Sequence, residues 1–287
     1  MSLISFPRKF SGCFSVAVAC ACSLFAGGFL NQARAEVVDT ELLLLVDVSM
    51  PGLSQAEFDS TLASFAVTFT DTQVLNAIQS GENGSIAISL LFYGNAVTQV
   101  VGVPWMSIGN AMEAAQFASL VTNLTRPTSL GFSSPAEALI AGTESFGTET
   151  GNLDNGFQSS TQVIELVASG LTSPFGGAAA AVANASDAAL ASGVDLINAT
   201  SVGFLGAFIE DNFGFFEANV IGSEIEGVEA TSGSVPAVGA LTTTLTDGIT
   251  TTVETGAITS ISLIPEPTVP LLAFSVCGLL LFRRERA

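Results

Sequence analysis

The chain has 287 residues, a formal net charge of -19, no histidine and a mean hydropathy of +0.58. Six of its seven basic residues lie near the termini, so between Glu36 and Ile264 there are 24 acids against Arg126 alone. A body with 23 net negative charges excludes nucleic acid as a partner, because phosphate binding needs a basic surface. The same stretch has no His, Lys or Cys, which removes the imidazole base, the Schiff-base amine and the thiol nucleophile together. Its ~230 residues suit one domain, and no run within it approaches the ~18 apolar residues that cross a bilayer.

In chain order, residues 1–35 have the three parts of a secretory signal. These are basic Arg8 and Lys9, an apolar stretch from about Phe10 to Leu30, and Ala33-Arg34-Ala35 as a small-x-small cleavage site. Cleavage by signal peptidase after Ala35 leaves Glu36 as the new N-terminus. A lipoprotein acylated at Cys20 or Cys22 is the rival reading, opposed by the poor lipobox before each cysteine. Glu41 to Asp47 is a continuous apolar run ending in an acid, the pattern of a central parallel strand buried on both faces. Ser54-Gln55-Ala56-Glu57 is a capping box, and Phe58, Leu62, Phe65, Ala66 and Phe69 follow on one helical face.

Ser85 to Tyr93 reads as the next strand, Val97 to Val103 as an antiparallel edge strand, and Asn110 to Asn123 as a helix. Ser134-Pro135-Ala136-Glu137 has Ser as N-cap, Pro at the first helical position and Glu to complete a second box, starting a helix to about Phe146. A strand over Thr161 to Val167, an Ala-rich helix over Gly177 to Ala191 stopped at Gly193, and a strand over Val194 to Val202 follow. This alternation predicts an α/β fold with an open, mostly parallel, doubly wound sheet and one antiparallel edge strand. Beyond Gly222 the chain is rich in Thr, Ser and Gly; Val235 to Leu245 reads as a last helix, and Leu241 to Ser262 equally as an extended linker.

The C-terminus runs Pro265-Glu266-Pro267, then Thr268 to Phe282 without charge, then Arg283-Arg284-Glu285-Arg286. Fifteen residues make only about 22 Å of helix against a hydrocarbon core of ~30 Å, and the basic cluster favours a cytoplasmic end. The ordered motif resembles the Pro-Glu-Pro C-terminal (PEP-CTERM) sorting signal of Gram-negative bacteria. That resemblance implies a transient stay in the inner membrane and removal of the tail by an exosortase-like protease. The organisation expected is therefore 1–35 signal peptide, 36–222 main domain, 223–264 helix or linker, and 265–287 sorting tail with a short transmembrane segment.

Asp47-Val48-Ser49 stands at the carboxyl end of the first strand, where an Asp and a hydroxyl offer oxygen ligands to a hard cation. With Gly84-Ser85-Ile86-Ala87, Val103-Pro104-Trp105, Gln162-Val163-Ile164 and Asn219-Val220-Ile221-Gly222 in the same order, the chain resembles a von Willebrand factor A-type domain. More narrowly it is similar to a branch of that superfamily found in secreted bacterial proteins of unknown function. The resemblance implies a Rossmann-like fold and a metal-ion-dependent adhesion site opening with Asp-x-Ser-x-Ser. Asp47 and Ser49 match that motif, while Pro51 stands where its second Ser belongs. Ser133, in Gly131-Phe132-Ser133, takes the place of the family's Thr, and Ser169 that of its second Asp. The implied site is degenerate, with Mg or Ca held weakly through Asp47, Ser49, Ser133 and Ser169.

The function expected is a non-enzymatic binding or adhesion module at the cell envelope or in the extracellular matrix, with an envelope protein or polysaccharide as ligand. A structural matrix protein without a working metal site is the alternative. A third class, a hydrolase using only carboxylates, rests on Glu210, Asp211, Glu224 and Glu226.

Overall fold

A computed structural model describes residues 35–254 apart from 50–52, 129–131, 148–149, 151–153, 169–176, 203–207, 236–241 and 245. The strands β1 (Glu36–Val38) and β2 (Thr40–Asp47) lead into the helices α1 (Gln55–Thr70) and α2 (Thr72–Gln79). Next come β3 (Ile86–Tyr93), β4 (Gln99–Ile108), α3 (Ala111–Thr122), α4 (Pro135–Glu144), β5 (Phe157–Ser159) and β6 (Gln162–Ala168). The chain continues through α5 (Gly177–Ala191), β7 (Leu196–Val202), α6 (Phe208–Asn219), β8 (Gly222–Ser223) and β9 (Ser232–Val235). Residues 242–244 and 246–254 are helical.

Among the described residues, seven strands form one sheet in the order β4-β3-β2-β6-β7, with β8 and β9 both on the far side of β7. The pairs β2–β3, β2–β6, β6–β7 and β7–β9 are parallel; β4 is the antiparallel edge expected, and the two-residue β8 adds a short antiparallel pair. This is the doubly wound α/β arrangement that the A-type resemblance implies. β1 and β5 make a separate parallel pair.

The sheet is covered on both faces because side chains alternate along each strand. On β2, Leu42, Leu44 and Val46 join Phe58, Phe65 and Phe69 of α1, Phe117 of α3, and Ile249 and Val253. Leu43 and Leu45 point the other way, to Leu139 of α4, Val182 of α5 and Phe216 of α6. Every residue of β2 is buried, and each such leucine contributes roughly 1.5–3 kcal/mol, which makes this strand the axis of the fold.

Local chemistry sets most element boundaries. Ser54 completes the expected capping box with Glu57. α1 is the helix expected after that box; Asp71 is extended, ends it and caps α2 by accepting from the Gln73 N–H at 2.7 Å, adding a short helix that was not read from the sequence. The second expected capping box does not form. Ser134 makes no side-chain cap bond; its backbone N–H donates to Gly94 O at 2.8 Å, so a neighbouring loop rather than a cap fixes the entry to α4. β4 runs later than expected because the turn at 94–98 is closed by Gly94 N–H donating to Thr98 O at 2.9 Å.

The Thr-rich end is helical over 246–254, within the range that also read as a linker. Ile249 and Val253 enter the core, and Thr hydroxyls take up the polar contacts: Thr246 bonds Thr68 at 3.3 Å, and Thr252 accepts from Asn198 at 3.1 Å. No helix among the described residues is long and apolar enough to cross a membrane.

Candidate metal centre

β2 and β3 end side by side, with Asp47 paired to Tyr93. The chain then leaves the sheet through a tight turn in which Val48 N–H donates to Tyr93 O at 2.7 Å and Ser49 N–H to Asp47 Oδ1 at 2.8 Å. That turn sets the Asp47 carboxylate over the start of the loop. Ser133 arrives from the segment before α4, held to the end of β3 by the Ser134–Gly94 bond. The carboxyl ends of parallel strands are where open α/β sheets place their ligands.

The groups are deeply buried: Asp47 is 1% exposed, Ser49 and Tyr93 0%, and Ser133 6%. Burial and the neighbouring Asp47 carboxylate push the Tyr93 hydroxyl well above its ordinary value, while the nearby Ser133 hydroxyl acts in the opposite direction. Tyr93 therefore keeps its proton at neutral pH. Although Ser133 lies close to it, neither oxygen reaches hydrogen-bond geometry. Ser49 Oγ, Ser133 Oγ and Tyr93 Oη are all buried without a partner.

A buried polar oxygen left unsatisfied costs ~1–3 kcal/mol, and three at one strand end form a concentrated deficit. The donor set is oxygen only, one carboxylate among hydroxyls, which fits a hard cation such as Mg or Ca. Among the described residues no three His, Cys, Asp or Glu side chains gather as a metal cluster, so any ion here depends on hydroxyls. The structure thus places Asp47, Ser49 and Ser133 at one strand end. Pro51 and Ser169 lie outside the described residues.

Two features were not read from the sequence. Arg126, the lone cation of the acidic body, donates to three main-chain carbonyls of the loop after β2: Leu53, Ser49 at 3.0 Å and Val48 at 3.3 Å. Its guanidinium lies 5.9 Å from the centroid of the Phe58 ring. Only its isolation in the sequence marked it. Glu165 is buried in β6, accepts from Thr200 Oγ1 at 2.9 Å, and is pushed up to about 7 by burial, against the pull of Thr200 and Asn198.

Of the remaining candidates, Glu224 and Glu226 are exposed beyond β8, and Glu210 and Asp211 fall on α6. Ala35 directly precedes β1, whereas Ala33 and the Pro265-Glu266-Pro267 motif lie outside the described residues.

The profile of a family described as a protein of unknown function, DUF1194, matches residues 37–234. The chain belongs to that family. The DUF1194 match takes in Asp47, Ser49, Tyr93, Arg126, Ser133 and Glu165 and stops before the helix at 246–254. No curated protein matches the chain at a significant level.

Among solved structures, the chain is similar to proximal thread matrix protein 1 from the mussel byssus with a zinc-occupied MIDAS motif. The TM-score is 0.49 at 14% identity, over 77% of this chain and 46% of that one. It is also similar to the manganese-loaded TRAP protein of Plasmodium vivax (TM-score 0.45, 12% identity, 73% of each chain). A von Willebrand factor type A protein from Catenulispora acidiphila matches with a TM-score of 0.43 at 10% identity, over 78% of this chain and 43% of its own. The chain thus spans about half the length of the mussel protein, and likenesses this distant carry nothing about what it binds.

Proposed function

We propose that the chain is an exported binding module of the bacterial cell envelope or its matrix, and that it captures a ligand through a weakly held divalent cation. The observation that carries this reading is the set of buried, unpartnered hydroxyls of Ser49 and Ser133 at the strand end that carries Asp47. Asp47, already oriented by the Ser49 N–H, would hold the ion directly or through water, and the two serines would supply neutral oxygens. Such an ion would give an otherwise strongly negative body one positive centre for an anionic group of an envelope protein or polysaccharide. Arg126 holds the loop that carries Ser49 in place. Export rests on the signal-like N-terminus and the Pro-Glu-Pro tail, which make signal peptidase and an exosortase-like protease its processing partners.

One carboxylate implies weak binding, on the order of 10⁻⁴ to 10⁻³ M as in extracellular calcium modules. At ~1 mM free ion and a Kd of ~0.1 mM, linkage adds about 1.4 kcal/mol, a rise of about 3–5 °C in melting temperature for a domain of this size. Mg or Ca should produce that rise in the wild type, and Asp47→Ala should abolish it. An equal rise in both proteins would mean that the ion acts on the diffuse acidic surface, and the structural matrix reading would replace this one.

A further inference from the structure

The cation reading draws on Asp47, Ser49 and Ser133, yet a third buried hydroxyl at the same place is left over. Tyr93 is the only tyrosine of the chain. Its ring packs in the core layer under α4, α5 and α6 with Leu91 and Leu139, and its hydroxyl is carried to the end of β3, beside the turn after Asp47. A tyrosine needed only to fill this core has no use for its hydroxyl there, since a phenylalanine would pack equally and leave no polar atom unsatisfied. The Ser133 hydroxyl lies close to it and is itself without a partner. Asp47 is close enough to act on it electrostatically without accepting a hydrogen bond from it. A water can bridge polar groups that approach without touching, nearly as favourably as a direct hydrogen bond.

We propose that Tyr93 is a positioning residue of the cation site, its hydroxyl holding a water ligand of the ion between Asp47 and Ser133. The role suits what this chain lacks. Pro51 supplies no second hydroxyl to the Asp-x-Ser-x-Ser pattern, and Ser169 no carboxylate where the resemblance implies a second Asp, so more of the ion's shell falls to water, and water needs fixed partners to be held. A protonated phenol can donate to one such partner and accept from another. Because Asp47 and Tyr93 are register partners on adjacent central strands, the sheet itself fixes their separation, a rigidity that loop ligands do not have. This inference rests on the cation reading above and adds to it a residue that the A-type motif does not contain.

The test compares full-length wild type, Tyr93→Phe and Asp47→Ala by calorimetric titration with Mg and with Ca, by melting without ion, and by near-ultraviolet difference spectra. Tyr93→Phe should raise the ion's Kd about tenfold, as removal of an outer partner of a metal ligand typically does, while its ion-free melting temperature stays level or rises. Ion addition should perturb the tyrosine band in the wild type and leave it unperturbed in Asp47→Ala. Wild-type affinity in Tyr93→Phe, together with an unperturbed tyrosine band, would overturn the role of Tyr93 and leave the cation site standing. A drop in the ion-free melting temperature of Tyr93→Phe with unchanged Kd would overturn it too, by showing a structural Tyr93–Ser133 bond. If the wild type takes up no ion at all, the failure lies with the cation reading itself.

Discussion

Glu165→Gln should make the protein more stable at alkaline pH and leave it unchanged in acid. Glu165 lies in the central sheet on the side of α1 and the 246–254 helix, with Val163 and Val167 as its neighbours on that face. Burial raises it from 4.5 to about 7, with the Thr200 and Asn198 hydrogen bonds working against the rise. The folded protein therefore keeps this proton up to about pH 7, while the unfolded chain releases it near 4.5. The stabilisation is complete below 4.5 and is lost as pH rises through 7, and at ~1.36 kcal/mol per pH unit it amounts to roughly 3 kcal/mol. Asp195, raised chiefly by burial, adds in the same direction. The acidic surface also repels itself more strongly as pH rises, so the slope of the wild type alone does not isolate Glu165. Gln is the neutral isostere and keeps the acceptor for Thr200 Oγ1, so the difference between the two proteins does. Urea unfolding at about pH 4.5 and about pH 8 should give near-equal stabilities at the first and an advantage to Gln approaching ~3 kcal/mol at the second. Parallel stability curves across that range would refute the reasoning and mean that Glu165 is solvated or ion-paired in solution.

Arg126→Ala should lower stability by roughly 2 kcal/mol through loss of the bonds to Leu53, Ser49 and Val48. Arg126→Lys should recover only part of it, because an ammonium cannot reproduce the planar fork; an unchanged urea midpoint in Arg126→Ala would show that the loop holds itself. The processing proposal predicts a mature protein that begins at Glu36 and lacks the residues after Pro267, read by mass spectrometry of envelope or culture-medium protein. Recovery of a mature form that retains Arg283 to Arg286 would leave a plain membrane anchor instead.

The sequence by itself determined the layered α/β plan, because the signals involved are local. The short apolar run of β2, bounded by acids, reads as a strand buried on both faces, the Ser54–Glu57 box closes within four residues and starts α1, and Asp47 and Ser49 sit in one short turn whose chemistry needs no distant partner. What only the tertiary structure decided depends on register and burial, which no local window contains. Tyr93 reaches the site because parallel pairing sets it opposite Asp47, and Arg126 finds the loop after β2 only once α3 has packed on α1. Thr246, Thr252, Ile249 and Val253 belong to a segment whose composition also reads as a linker. They form a docked helix because α1 and the sheet offer polar partners and an apolar surface together. Glu165 is one acid among many in the sequence, and burial by its folded neighbours is what makes it titrate apart from the rest.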